Sequence, residues 1–210
     1  MKIIYKDESI VVCIKPSGIL SAKDASGKNN MSDALCEQLN LKTVYPIHRL
    51  DREASGIMVY ALTAASAARL SVDAGDHTRF VKEYMAVISG IPNEKCGILE
   101  DLLFKDSSKN KSFVVNKERR GVKRAKLSYE VLEECGERSL VKIKLFTGRT
   151  HQIRVQFSSR KMPLVGDRKY GGPSSEKGIA LYSVKLSFYH PETNEQLCFE
   201  HTPNINIKEL

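Results

Sequence analysis

His48, Arg49, Asp51, Arg52 and Glu53 stand together in the segment 48–53, between apolar runs that end at Val44 and restart at Ile57. A single aspartate crowded by cations is either a solvated connection or a place where charge meets a ligand. An ionised aspartate held near arginine is equipped to act as a nucleophile or a general base. His48 and His151 raise the question of a metal, but no third ligand stands at a suitable spacing, so no metal is expected. A hydrolase that pairs Asp51 with His48 is also disfavoured, because near neighbours on a tight loop make poor acid–base geometry.

The elements that must hold this segment are short and mostly extended. Residues 3–5 and 10–15 are β-rich runs separated by Lys6-Asp7-Glu8-Ser9, which predicts a hairpin. Lys15-Pro16-Ser17-Gly18 ends the second run, since proline and glycine both interrupt a ladder. Residues 21–30 are small and polar and read as a mobile loop. Ser32-Asp33 then offers an N-cap for a helix to about Leu39, with Leu35, Cys36 and Leu39 on one face. Residues 56–62 are almost continuously apolar, as in a strand buried on both faces, and Thr63 caps a helix that runs to about Val72. The charged segment therefore feeds straight into a buried strand, a rigid mount for chemistry on a loop.

Further on, residues 80–89 predict a strand that contains Tyr84, and 97–104 another. Residues 125–132 and 139–146 pair as a hairpin through 134–137. Thr150 is placed to cap a helix whose Ile153, Val155 and Phe157 need apolar partners, and Arg154 among them must reach a carboxylate or a phosphate. Turn and loop signals fill 163–173, residues 179–188 and 196–200 are the last strands, and the end reads as a tail. Without regular βαβ alternation, the expected class is α+β on a largely antiparallel sheet.

The 210 residues are 41% hydrophobic and 28% charged, an ordinary globular profile read here as one domain, 1–210. Five scattered cysteines, none in a Cys-x-x-Cys pair, argue against a disulfide framework and suggest reduced, mostly buried thiols. The N-terminal apolar run is too short for a signal peptide, and no stretch approaches the roughly 18 apolar residues of a membrane span. The expectation is a cytoplasmic monomer without a membrane partner. A net charge of +8 favours a polyanionic partner, nucleic acid above all. The cations concentrate at Lys105, Lys109, Lys111, Lys117, Arg119, Arg120, Lys123, Arg124 and Lys126, against only Asp106 and Glu118. Phosphate contacts need mobile cations and no special spacing, so Lys123 and Arg124 are candidate RNA contacts.

Residues 48–62, His-Arg-Leu-Asp-Arg-Glu-Ala-Ser-Gly-Ile-Met-Val-Tyr-Ala-Leu, resemble the signature of the RluA-like pseudouridine synthases. Three further blocks resemble that family in the family's order. They are Ile14-Lys15-Pro16-Ser17-Gly18, Lys82-Glu83-Tyr84-Met85-Ala86, and Gly148-Arg149-Thr150-His151-Gln152-Ile153-Arg154-Val155 followed by Gly166-Asp167 and Tyr170-Gly171. Ala54 stands where the family has threonine, Gln156 where histidine is common, and Leu181-Tyr182-Ser183 where Leu-His-Ala is usual. The hairpin begins at Ile3, so the N-terminal S4 RNA-binding domain of many relatives is expected to be absent.

The resemblance implies an isomerase that breaks the N-glycosidic bond of a uridine, turns the base and rejoins it through C5, with no cofactor. The base must first leave the RNA stack. By the same resemblance Asp51 is the catalytic carboxylate, attacking C1′ or the base, or removing the C2′ proton. Arg154 pairs with it, and Tyr84 lines the pocket, stacking on the uracil or helping to move the C5 proton. Arg49 fills the gap left by the flipped base. His48, Arg149, His151 and Gln152 are further candidate RNA contacts, with backbone bonding as the other role for His151 and Gln152. The expected substrate is a tRNA or rRNA stem-loop. A catalytically inactive RNA-binding protein on the same scaffold is the competing reading, and the joint presence of Asp51, Tyr84 and Arg154 counts against it.

Overall fold

A computed structural model describes residues 1–24, 27 and 29–210. In chain order its elements are β1 (Ile3–Lys6), β2 (Ile10–Lys15), α1 (Met31–Leu39), β3 (Tyr45–Pro46), β4 (Ser55–Ala61), α2 (Ala64–Asp73), β5 (Val81–Ser89), β6 (Cys96–Asp106), β7 (Lys111–Val115), β8 (Val122–Cys135), β9 (Arg138–Leu145), α3 (Gln152–Ser158), β10 (Leu181–Tyr189) and β11 (Gln196–Glu200). Part of the expected mobile loop, at 25, 26 and 28, lies outside the described residues. The chain divides into two compact units, Met1–Lys82 with Tyr182–Pro203, and Glu83–Leu181 with Asn204–Leu210.

In the first unit the apolar run after the charged segment becomes β4, and Ile57, Met58, Val59 and Tyr60 are wholly buried. A strand can be apolar on both faces only if both are covered. β2 lies antiparallel on one edge of β4 and β10 parallel on the other, with α2 packed against the strand. The core beneath gathers Ile10, Val12, Ile57, Val59, Leu70, Phe80, Leu186 and Phe188. β1 and β2 form the expected hairpin, closed by Asp7, whose Oδ1 accepts from the backbone N–H groups of Ser9 at 2.7 Å and Ile10 at 2.8 Å. Thr63 caps α2 as expected, its hydroxyl oxygen accepting from Ser66 N at 3.1 Å.

α1 starts earlier than expected, because its cap is Asn30 and not Ser32 or Asp33. A capping side chain must reach the third helical N–H, and from Asn30 that group is the N–H of Asp33, at 2.9 Å.

The second unit is an antiparallel sheet in the order β5-β9-β8-β6-β7. The β8–β9 hairpin turns tightly at Gly136-Glu137, with Cys135 opposite Arg138. α3 covers β6 and β7, and Val155 packs with Leu103, Ala125 and Tyr170.

The structure corrects three further expectations. Thr150 does not cap α3. His151 occupies that position in the left-handed region (φ 54°) without a side-chain cap, and the Gln152 side chain folds back instead to take the Arg149 N–H at 3.0 Å. The C-terminus is no loose tail, because Ile207 is buried in a short 3₁₀ turn, Arg138 donates to its carbonyl, and Lys177 pairs with Glu209. Of the five cysteines only Cys13, in the first unit, is buried. Cys96 opens β6 and Cys198 sits on the outward face of β11, and both are exposed.

One glycine sets how closely β4 and β10 approach. Gly56 has φ +118°, and a Cβ there would lie 2.2 Å from the carbonyl oxygen of Ser183, its partner in the parallel register. Gly56→Ala must both strain the backbone and push the strands apart. Its expected cost is about 3 kcal/mol or more, read as a lowered urea midpoint. An unchanged midpoint would contradict this packing.

Candidate active site

Asp51 lies on a loop of the first unit held almost entirely through its backbone. The Ala54 N–H closes a turn onto the Asp51 carbonyl at 3.1 Å. On the N-terminal side, Leu50 N donates to Ser21 Oγ at 3.0 Å while that hydroxyl donates to the Leu50 carbonyl at 2.9 Å. On the C-terminal side, Ser17 Oγ donates to the Glu53 carbonyl at 2.5 Å. Gly18 N donates to the Arg52 carbonyl at 2.8 Å, and Arg52 Nε returns a bond to the Gly18 carbonyl at 3.0 Å.

Lys15 draws this arrangement together. Its side chain is fully buried, and its ammonium donates to the carbonyls of Pro16 at 2.9 Å, Ile19 at 2.7 Å and Arg52 at 3.0 Å. Burial lowers its pKa to about 8 against the pull of the Glu53 and Asp51 charges, with Arg52 lowering it further. The block at 14–18 was legible as a motif, but the sequence did not show that its lysine binds the loop of Asp51. The signal available was a lysine ending a buried strand just before proline. Arg49 is exposed and makes no ion pair among the described residues.

His48 differs from the expected RNA contact. It is only 9% exposed, its Nε2 accepts from Val59 N at 3.3 Å, and its ring meets Phe80 edge-on at 5.6 Å. Burial, together with the Lys82 charge, lowers its pKa to about 3.

In the second unit Tyr84 lies on β5, 5% exposed. Arg154 on α3 is 2% exposed and finds the carboxylate its burial demands in Asp167, which is wholly inaccessible to solvent. Nε donates to Oδ2 at 2.7 Å and Nη2 to Oδ1 at 2.8 Å, the bidentate fork that suits guanidinium and carboxylate. Tyr170 covers the pair, its ring centroid 5.2 Å from the guanidinium carbon. The Tyr170 hydroxyl accepts from Ser112 N at 2.8 Å and lies 3.0 Å from His151 Nδ1. The turn that delivers Asp167 requires glycine at 166, where φ is +81° and a Cβ would meet the Gly178 carbonyl oxygen at 1.9 Å. Residues 166–171 thus explain themselves as the support of Arg154, a role the sequence left unassigned.

The remaining candidates divide between structure and surface. Gln152 is buried, accepting from Thr147 Oγ1 at 2.7 Å and donating to the Lys126 carbonyl at 3.1 Å, so it takes the backbone-bonding role. Arg149 donates through Nε to the Arg124 carbonyl at 2.9 Å. Gln156 donates to Asp101 Oδ2 at 2.7 Å, and Arg160 binds the same carboxylate. Lys123 and Arg124 are both exposed on β8, and Arg124 pairs with Glu118 at 2.9 Å in a contact open to water. Among the described residues no group of three or more His, Cys, Asp or Glu side chains could hold a metal ion, and no helix is long and apolar enough to cross a membrane.

The profile of a family described as RNA pseudouridylate synthase matches residues 9–159, and the chain belongs to that family. An uncharacterized RNA pseudouridine synthase of Mycoplasma pneumoniae is 30% identical over 205 residues, covering 95% of this chain and 66% of that protein. The ribosomal large subunit pseudouridine synthase D of Borreliella burgdorferi is 33% identical over 200 residues, covering 88% of this chain and 60% of that protein. The chain thus spans less than two thirds of the length of these curated relatives. The structure of human RNA pseudouridylate synthase domain containing 4 has the same fold, with a TM-score of 0.78 at 24% identity over 97% of this chain and 89% of that one.

Two predictions follow from this geometry. Asp167→Ala removes the bidentate partner of a buried arginine and is expected to cost about 3–5 kcal/mol in guanidinium unfolding, with Asp167→Asn losing less. His48 titrates near 6.5 when unfolded but near 3 when folded, so between those values the unfolded chain binds the extra proton and stability falls as pH falls. From pH 6.5 to 4.5 the wild type is expected to lose about 2 kcal/mol more than His48→Gln, and parallel urea curves for the two proteins would refute the assignment.

Proposed function

We propose that this chain is an RNA pseudouridine synthase that isomerises a uridine in structured RNA. The observation that carries the reading is the family match over residues 9–159, which contain Asp51, Tyr84 and Arg154 within their motifs and in the family's order. The reaction exchanges the N1–C1′ bond for a C5–C1′ bond and releases the C5 proton. Asp51 is the reacting carboxylate, with attack on C1′ or the base and removal of the C2′ proton as the open routes. By the family resemblance, Arg154 is the arginine that serves the catalytic carboxylate. Tyr84 stacks on the uracil and assists the C5 proton. Fixing the Asp51 loop through its backbone supports this role, because a preorganised group needs no rearrangement at the moment of reaction.

The protein works in the cytoplasm as a monomer, without a cofactor. Its substrate is an rRNA or tRNA stem-loop, and the relative named for the large ribosomal subunit makes rRNA the first RNA to test. Arg49 enters the gap left by the flipped base, as its exposure permits. The ribbon β6–β7–β8 grips the phosphates, with Arg149 and His151 beside it, and His48 and Gln152 as indirect supports.

Incubation with RNA carrying tritium at uracil C5 is expected to release label to water, and Asp51→Asn to lower release by about 10⁴-fold or more while RNA still binds. Retained label across rRNA and tRNA, with folded protein, would favour the non-catalytic RNA-binding alternative. Lys123→Glu with Arg124→Glu is expected to weaken RNA binding and to reduce the slope of log K against log salt by roughly 1.5. An unchanged slope would remove this ribbon from the interface.

A further inference from the structure

An antiparallel sheet packed on one side is polar on the other. In the second unit the packed side belongs to α3, whose Val155 meets Leu103 and Ala125. β8 and β9 follow the rule, with Arg124, Lys126 and Lys144 on the outward side. β6 and β7 break it. Phe104 and Phe113 are register partners on that outward side and are only half-buried, with Leu102 and Val115 the next pair along. Phe146 joins them just beyond β9, where its N–H donates to the Lys126 carbonyl at 3.0 Å.

Each of the three rings carries a cation. Arg119, from the β7–β8 connection, places its guanidinium carbon 4.7 Å from the Phe104 centroid. Lys111 Nζ lies 5.7 Å from the Phe113 centroid. Phe146 has Lys144 Nζ at 5.7 Å and Lys126 Nζ at 6.0 Å. Of the nearby carboxylates, Glu100 pairs with Lys126 and Glu118 with Arg124. Arg119 and Lys144 are exposed, so a ligand can reach them from the side away from the rings. Apolar surface rimmed by charge marks a place of interaction.

We infer that this face is a stacking platform for unpaired nucleotides of the substrate, a proposal that rests on the reading that this chain acts on RNA. The rings and the Arg119 guanidinium take base faces, and the cations beside them meet phosphates. An acidic peptide would answer the cations and leave the rings without a counterpart, so the combination favours nucleic acid. Stacking needs a base whose faces are uncovered, so the platform selects a loop, an end or a single strand over a duplex. Adjacent strands lie about 4.8 Å apart, so Phe104 and Phe113 serve one base together. Phe146, two strands away from Phe104, serves another. Cations alone would hold any RNA by its phosphates, and the rings add the preference for unpaired bases.

The test uses the full chain and two probes, single-stranded hexauridylate and the same backbone with abasic riboses. The wild type is expected to bind hexauridylate and to move its uracil H5 and H6 resonances upfield, the mark of stacking. Phe104→Leu with Phe113→Leu keeps apolar cover on the sheet. It is expected to weaken hexauridylate binding about tenfold or more and to leave the abasic probe within about twofold. Phe104→Tyr with Phe113→Tyr is expected to retain binding of both. No upfield shift with the wild type, no loss in the leucine variant, or equal losses for the two probes would overturn the proposal. So would displacement of hexauridylate by hexaglutamate as effectively as by unlabelled hexauridylate. Ring-dependent binding by a protein that releases no tritium supports the platform and counts against the catalytic reading. Tritium release from rRNA at an unchanged KM in the leucine variant counts against the platform alone.

Discussion

The ammonium of Lys15 is the interaction on which the Asp51 loop depends. It is buried, and it binds the carbonyls of Pro16 and Ile19 on its own segment and of Arg52 across the gap. A buried cation is tolerated only when its donors are satisfied, and here satisfying them ties one loop to another. With the Ser17 and Ser21 bonds, the loop is fixed on both sides of Asp51 without using the Asp51 side chain in any of these bonds. The backbone on both sides of Asp51 is thereby immobilised. β4 completes the mount, because a strand buried on both faces has no freedom to slide.

The second unit solves the same problem with a side chain in place of a backbone. Arg154 sits on a helix of only seven residues that has no side-chain cap, so the helix cannot rely on its own ends for stability. Asp167 grips the guanidinium, Tyr170 covers it and bonds β7, and Ser158 Oγ donates to the Tyr170 carbonyl at 2.7 Å. Gln156, where relatives commonly carry histidine, is spent on Asp101 and the Leu99 carbonyl, fastening α3 to β6. This departure therefore has a structural role. The buried Ala54 keeps its N–H on the Asp51 carbonyl, a bond independent of its side chain, and nothing in the structure explains the choice of alanine.

Much of the framework was legible because periodicity and turn residues act locally. The continuous apolar run of β4, the β1–β2 hairpin and the Thr63 cap are each set by neighbours in sequence. The failures share the opposite property. The α3 terminus is organised by Gln152 bonding the Lys126 carbonyl and His151 meeting the Tyr170 hydroxyl, partners distant in sequence, and Ile207 is buried by partners that no local pattern announces. The two-unit division was invisible for a related reason. The chain leaves the first unit at Lys82 and returns at Tyr182, so no linker or change of composition marks the boundary. Among the candidate residues, Asp51, Tyr84 and Arg154 were named from motifs, whereas the roles of Lys15 and Asp167 emerged only once their bonds were seen. Motifs mark which residues are constrained and not what each one holds.

Mapping pseudouridines by carbodiimide modification and primer extension tests the central claim most directly. The RNA comes from cells lacking this gene, complemented with the wild type or with Asp51→Asn. At least one rRNA or tRNA position is expected to lose its pseudouridine in the deletion, to regain it with the wild type and to stay unmodified with Asp51→Asn. Restoration of that modification by Asp51→Asn would contradict it.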